Sequence, residues 1–206
     1  MLTVAFVPGV TVRKWTRAWE ERRADTPLEV LPTAEARQIA VLLEREADLS
    51  FVRLPIERDG LSVIRLYEEI PVVVLPREHP LEEQQTVLLA DLAPENILEA
   101  TGDIADVVEL VAAGVGIVIL PQSIARLHNR KDVVARPIGD APPTEIAIAW
   151  LAAETTTDVE EFVGIVRGRT ARSSRAAPTP PTQKPAREKA AKRKPTARSR
   201  KRQGGR

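Results

Sequence analysis

Two stretches of this sequence end apolar runs with groups that could hold an anion. Pro8-Gly9-Val10-Thr11 follows the run Leu2–Val7 and precedes a predicted helix from about Val12 to Arg23. N–H groups at a helix start lack intrahelical partners and sit at the positive end of the helix dipole, which favours a carboxylate there. The Thr11 hydroxyl would hydrogen-bond such a ligand, or merely accept from an unpaired N–H as a helix cap. The second stretch, Ile117-Val118-Ile119-Leu120-Pro121-Gln122-Ser123, has a short β-branched run with no polar face. That pattern suits a strand covered on both sides. Pro121 stops it and suits the first turn of a new helix. Gln122 and Ser123 then stand at a strand's C-terminal end, where open α/β sheets bind ligands. Ordinary helix-start chemistry would account for the same two residues. Thr101 and Gly102 occupy an analogous strand-to-helix junction, where a plain turn is the alternative.

No catalytic set accompanies these groups. Ser123 lacks a nucleophile-elbow pattern, and no acid and base share a motif. The glycines of Ala113-Gly114-Val115-Gly116 follow a helix and precede a strand, the reverse of a dinucleotide-binding loop. There is no cysteine, which removes disulfides, thiolate metal sites and cysteine nucleophiles. His79 and His128 are the only histidines and lie far apart, so a histidine metal cluster is not expected. We assign His79 no ligand role, and we expect neither a cofactor nor an enzyme.

The elements that must position these residues follow an alternating pattern. Strands are predicted at Leu2–Val7, Leu28–Leu31 and Ala47–Leu54. Between them lie the helix from Val12 and a second helix from Ala34 to about Glu44, capped by Thr33, with Ile39, Leu42 and Leu43 facing inward. Strand–helix–strand–helix–strand at this spacing implies a parallel sheet. Trp15 and Trp19, one helical turn apart, are expected in a core or an interface. Leu61–Leu75 is two strand segments with Glu68-Glu69 and Pro71 between them, long enough to leave one sheet and enter another. A short element reaches Leu92, and a short strand covers Ile97–Ala100. A helix from Asp103 closes at Gly114, whose missing Cβ suits a left-handed position. Strands at Val133–Ile138 and Thr144–Ala152 and a helix from about Thr157 to Arg167 complete the pattern.

The net charge of +1 conceals two unlike parts. Residues 167–206 hold fifteen of the thirty Lys and Arg against a single acid, Glu188, a charge of +14. The first 166 residues carry fifteen bases against 28 acids, a charge of −13. The basic segment has no Leu, Ile, Val or aromatic side chain beyond residue 167, so it cannot offset its ordering entropy and is expected to be disordered. Lys189, Lys192, Arg193, Lys194, Arg198, Arg200, Lys201 and Arg202 would bind phosphates of DNA or RNA without sequence preference. A solvated tail, or one folded over its own acidic body, is the alternative. The N-terminus lacks a basic segment and a long apolar stretch, and no run is long enough to span a membrane, so the expectation is a soluble, cytoplasmic protein.

LTVAFVPG at the start, ADLSFVRLP, IPVVVLPREHPL, LADLA and VAAGVGIVILPQSIAR occur in an order that resembles the effector-binding (substrate-binding) domain of LysR-type transcriptional regulators. The resemblance covers about residues 2–166. It implies a periplasmic-binding-protein-like α/β fold: two Rossmann-like lobes joined by crossing strands, over residues 1–166. Lobe I would be roughly 1–70 and 144–166, and lobe II roughly 71–143, with crossings near Glu69-Pro71 and Pro142-Pro143. It implies a homodimer that regulates transcription by binding a small anionic metabolite, such as a carboxylate, in the interlobe cleft. Pro8, Gly9, Val10, Thr11, Thr101, Gly102, Gln122 and Ser123 would line that cleft, with Leu54-Pro55 as a wall. Such regulators normally begin with a helix-turn-helix, whereas this chain starts at the first strand, so it would not itself read a DNA sequence. The other function considered is non-specific nucleic-acid binding through the tail, with the globular part serving dimerisation.

Overall fold

The computed structural model describes residues 1–168. In chain order the elements are β1 (Leu2–Phe6), α1 (Arg13–Arg22), β2 (Leu28–Pro32), a 3-10 turn (Glu35–Arg37), α2 (Ala40–Leu43), β3 (Leu49–Arg53), β4 (Leu61–Glu69) and β5 (Pro71–Pro76). There follow α3 (Leu89–Leu92), β6 (Ile97–Leu98), α4 (Ile104–Ala112), β7 (Ile117–Pro121), α5 (Gln122–Leu127), β8 (Val133–Pro137), β9 (Thr144–Leu151), a second 3-10 turn and α6 (Thr157–Val166).

These strands form two sheets. The first has the order β2-β1-β3-β9-β4, and the second β6-β7-β5-β8. β1 pairs in parallel with β2 and β3, as the alternation of strands and helices requires, whereas β9 runs antiparallel to both β3 and β4. Only Ile70 separates β4 in one sheet from β5 in the other, and the segment after β8 returns the chain to the first sheet at Thr144.

The first sheet is apolar on both faces because helices cover both. Phe51, Ile146 and Ile148 point to one side, into a cluster with Trp15 and Trp19 of α1 and Phe162 of α6. Their neighbours Val52, Ala147 and Ala149 point to the other, against Val41 and Leu42 of α2. This is the period-two alternation of a strand feeding two cores at once. Trp15 stacks on Phe51 with centroids 4.6 Å apart, and Phe162 meets Phe51 edge-on at 6.3 Å. Trp19 is fully buried and its indole N–H donates to the Thr26 carbonyl at 2.9 Å. The second sheet has its own core, built from Val72, Val74, Val118 and Leu120 against Val108 and Val111 of α4.

Several local expectations need correction. Thr11 caps nothing: α1 starts from Val12, no side chain bonds its first N–H groups, and Thr11 is exposed. The helix predicted from Ala34 to Glu44 is broken into the 3-10 turn and the single turn of α2, and Thr33 does not cap it. The break has a tertiary cause. The Gln38 side chain turns inward, donating to the Arg53 carbonyl at 3.1 Å and accepting from the Arg53 N–H at 2.8 Å. Leu43, expected inside, is 60% exposed as a result of that rearrangement. Ile97–Ala100 shortens to two paired residues, and Pro121 takes the position before α5 rather than its first turn. Gly114 does close α4, at φ +75°. The Gly114 N–H donates to the Val111 carbonyl and the Val115 N–H to that of Leu110, a Schellman motif.

Candidate functional site: a cleft between the two sheets

A cavity of about 410 Å³ opens where the two sheets meet. One wall is the β1–α1 junction, with Gly9, Thr11, Lys14 and Trp15. The floor is Tyr67 to Ile70, where the chain leaves the first sheet, and the opposite wall is Gln122, Ser123 and Arg126 of α5. Gln122 and Arg126 are one helical turn apart, so both face the cavity. The Gln122 N–H donates to the Ile70 carbonyl at 2.9 Å, which fixes the start of α5 against the crossing.

The structure thus brings together Gly9, Thr11, Gln122 and Ser123. Pro8 lies behind the wall, its carbonyl accepting from Arg53 Nη2 at 3.0 Å, and Val10 is buried in the core of the first sheet. Thr101 and Gly102 do not line the cavity; both are exposed at the β6–α4 junction, where the Asp103 carboxylate caps α4 by accepting from the Ala105 N–H. Leu54 packs beneath the first sheet, and Pro55 lies outside the cavity. His79 accepts from the Leu81 N–H and lies 3.4 Å from Glu95. The basic residues from Lys189 to Arg202 lie outside the described residues.

Sequence reasoning missed the charged groups behind and around the cleft. Arg53, at the end of β3, is 4% exposed. Its Nε donates to Glu69 Oε2 at 2.8 Å and its Nη1 to Glu35 at 2.5 Å. Burial opposes the charge on Arg53, but the hydrogen bonds it donates to the Glu69 and Glu35 carboxylates, with their charges, outweigh it and hold the guanidinium above its usual pKa. Glu69, 6% exposed, also accepts from the Ser123 hydroxyl, which belongs to the other sheet's helix, and more distantly from Thr144 at 3.4 Å. Partial burial and the nearby Glu69 carboxylate push the Tyr67 phenol up, with Arg53 offsetting part of the effect. A lone arginine in the apolar strand Leu49–Arg53 was the available signal, since a buried charge demands a partner. Lys14 and Arg126 are exposed, and neither has an ion-pair partner among the described residues. Among those residues no group of His, Asp or Glu is arranged to hold a metal, and no helix is long and apolar enough to cross a membrane.

The sequence that builds these two sheets and the cleft between them matches a family model. The model described as the LysR substrate binding domain covers residues 2–101 and 99–171. The chain belongs to this family. Similar curated proteins are the Hca operon transcriptional activator HcaR of Escherichia coli (strain K12) and the HTH-type transcriptional regulator BudR of Raoultella terrigena. HcaR is 27% identical over 82% of this chain and 68% of HcaR; BudR is 28% identical over 77% of this chain and 68% of BudR. Among solved structures, the BenM effector binding domain with its effector benzoate matches with a TM-score of 0.65, at 19% identity, over 86% of this chain and 95% of that one. Oxidized OxyR of Corynebacterium glutamicum matches with a TM-score of 0.68, at 19% identity, over 81% of this chain and 62% of that one. These likenesses establish the fold. The LysR substrate-binding domain described here spans about two thirds of the length of its curated relatives, which are transcriptional regulators.

Proposed function

We propose that this LysR substrate-binding domain senses a small carboxylate in the cleft between its sheets and passes that signal to transcription. The observation that carries the reading is the pair of cations, Lys14 and Arg126, on opposite walls of the 410 Å³ cavity; neither has an ion-pair partner among the described residues, and the Lys14 ammonium lies over the Trp15 ring, 4.4 Å from its centroid. On a body whose first 166 residues carry −13, two facing cations concentrate an anion locally against the overall field. The free N–H groups before α1, the Thr11 hydroxyl and the Gln122 amide supply directional donors beside them. Pro8 and Val10 support this wall from behind, and Thr101 and Gly102 are left out of the site. The domain works as a homodimer in the cytoplasm, so light scattering should give about twice the 22.7 kDa chain mass.

A thermal-shift screen of small carboxylates, with benzoate among them, tests the reading. A ligand at a hundred times its dissociation constant adds about 2.7 kcal/mol. That corresponds to roughly 5–10 °C for a domain of this size. Thr11→Ala and Gln122→Ala should reduce the shift. If no carboxylate stabilises the protein, the assignment of an anionic effector is wrong.

A further inference from the structure

One carboxylate bonds side chains of both lobes. Glu69 ends β4 of the first sheet, yet it accepts the hydroxyl proton of Ser123, the second residue of α5 on the second sheet. Arg53 holds the same carboxylate from behind through Nε at 2.8 Å and Nη2 at 3.4 Å. Thr144, the first residue of the returning strand, approaches it at 3.4 Å. Both crossings and the floor of the cleft therefore meet at Glu69. The contact is tight on the other side too, because a Cβ on Gly9 would overlap Ser123.

A serine hydroxyl has one proton to donate. While Ser123 gives it to Glu69, the deep end of the cleft presents no serine proton to an incoming anion. We infer that Glu69 is a positioning residue that competes with the effector for the proton of Ser123, so that an anion reaching Ser123 releases one lobe from the other. This deepens the cleft reading above and rests on it for the effector. The latch itself is built from this chain's own residues. No covalent step is involved, only the exchange of one acceptor for another.

The full chain has no cysteine, so two spin labels can be placed without background. Glu20→Cys on α1 and Asp106→Cys on α4 put one label on each lobe at exposed positions. In the unliganded protein, Ser123→Ala should broaden the interlobe distance distribution or shift it to longer values. Glu69→Gln should keep the native distribution, because the Gln amide can donate to the Ser123 oxygen while its carbonyl accepts from Arg53. An unchanged distribution in Ser123→Ala overturns the latch, whatever the effector is. With benzoate as the probe, Glu69→Gln leaves the Ser123 proton free, and binding should tighten roughly tenfold, the worth of one charge-assisted hydrogen bond. Binding no tighter than that of the unmodified protein overturns the competition.

Discussion

Gly9→Ala should destabilise this protein more than Gly114→Ala, although both glycines have a positive φ. Gly9 has φ +87°, a left-handed conformation that costs a residue with a Cβ about 1–2 kcal/mol. The added Cβ would also overlap the Ser123 hydroxyl oxygen, stand 2.9 Å from the Ser123 Cβ and 3.2 Å from the Ile124 Cδ1. Those atoms belong to α5 of the other lobe, so relief requires the lobes to part or α5 to shift. Overpacking of this kind costs roughly 1–3 kcal/mol, and the total is about 2–5 kcal/mol. Gly114→Ala is the internal control: its φ is +75°, but nothing lies within 4 Å of the added Cβ. It should therefore lose only the backbone part, about 1–2 kcal/mol. Urea unfolding followed by tryptophan fluorescence gives both numbers, because all three tryptophans are buried in the core of the first sheet. If Gly9→Ala costs no more than Gly114→Ala, the contact between the β1–α1 loop and α5 is not the close approach described.

Two further outcomes follow from the buried charges. Arg53→Met leaves the Glu69 carboxylate buried beside only Ser123 and Thr144, and should cost about 3–5 kcal/mol in the same unfolding experiment. Tyr67 is the only tyrosine, so its phenolate absorbance reports one group. Its midpoint should lie above the value of about 10 seen in the unfolded chain, and Glu69→Gln should bring it down. Because the folded pKa is raised, the stability linked to the neutral phenol is present below pH ~10 and is lost as pH rises through the folded value. A midpoint unchanged by Glu69→Gln would show that Glu69 does not act on the ring.

Much of the fold was legible because its signals are local. Strands such as Leu2–Phe6 and Ile117–Pro121 are apolar runs ended by Pro, and Asp103 and Gly114 bracket α4 with ordinary cap chemistry. The split of Leu61–Leu75 at Ile70 followed from Glu68-Glu69 and Pro71, and it placed the crossing between the sheets. What failed depended on partners distant in sequence. The helix after Thr33 broke because Gln38 bonds the Arg53 backbone fifteen residues away. Thr11 and Ser123 had the residue types of helix starts, but Thr11 lines the cleft without capping, and Ser123 donates to a carboxylate 54 residues earlier. Thr101 looked equivalent to Thr11 by its place between strand and helix, yet β6 is an edge strand of two residues that leaves its junction away from the cavity. Arg126 was within reach of sequence reasoning, since it lies at i+4 from Gln122 on the same helix face.

The most direct test of an anion-binding cleft is isothermal titration of the full chain with the best-stabilising carboxylate, repeated on Lys14→Gln, Arg126→Gln and the double variant. Both side chains are exposed and have no ion-pair partner among the described residues, and the Lys14 contact with the Trp15 ring is at an exposed site, so these variants should fold as the unmodified protein does. Each single substitution should weaken binding by roughly tenfold, the worth of one charge-assisted hydrogen bond, and the double variant should weaken it further. Affinity unchanged in the double variant would place the carboxylate elsewhere and contradict the account.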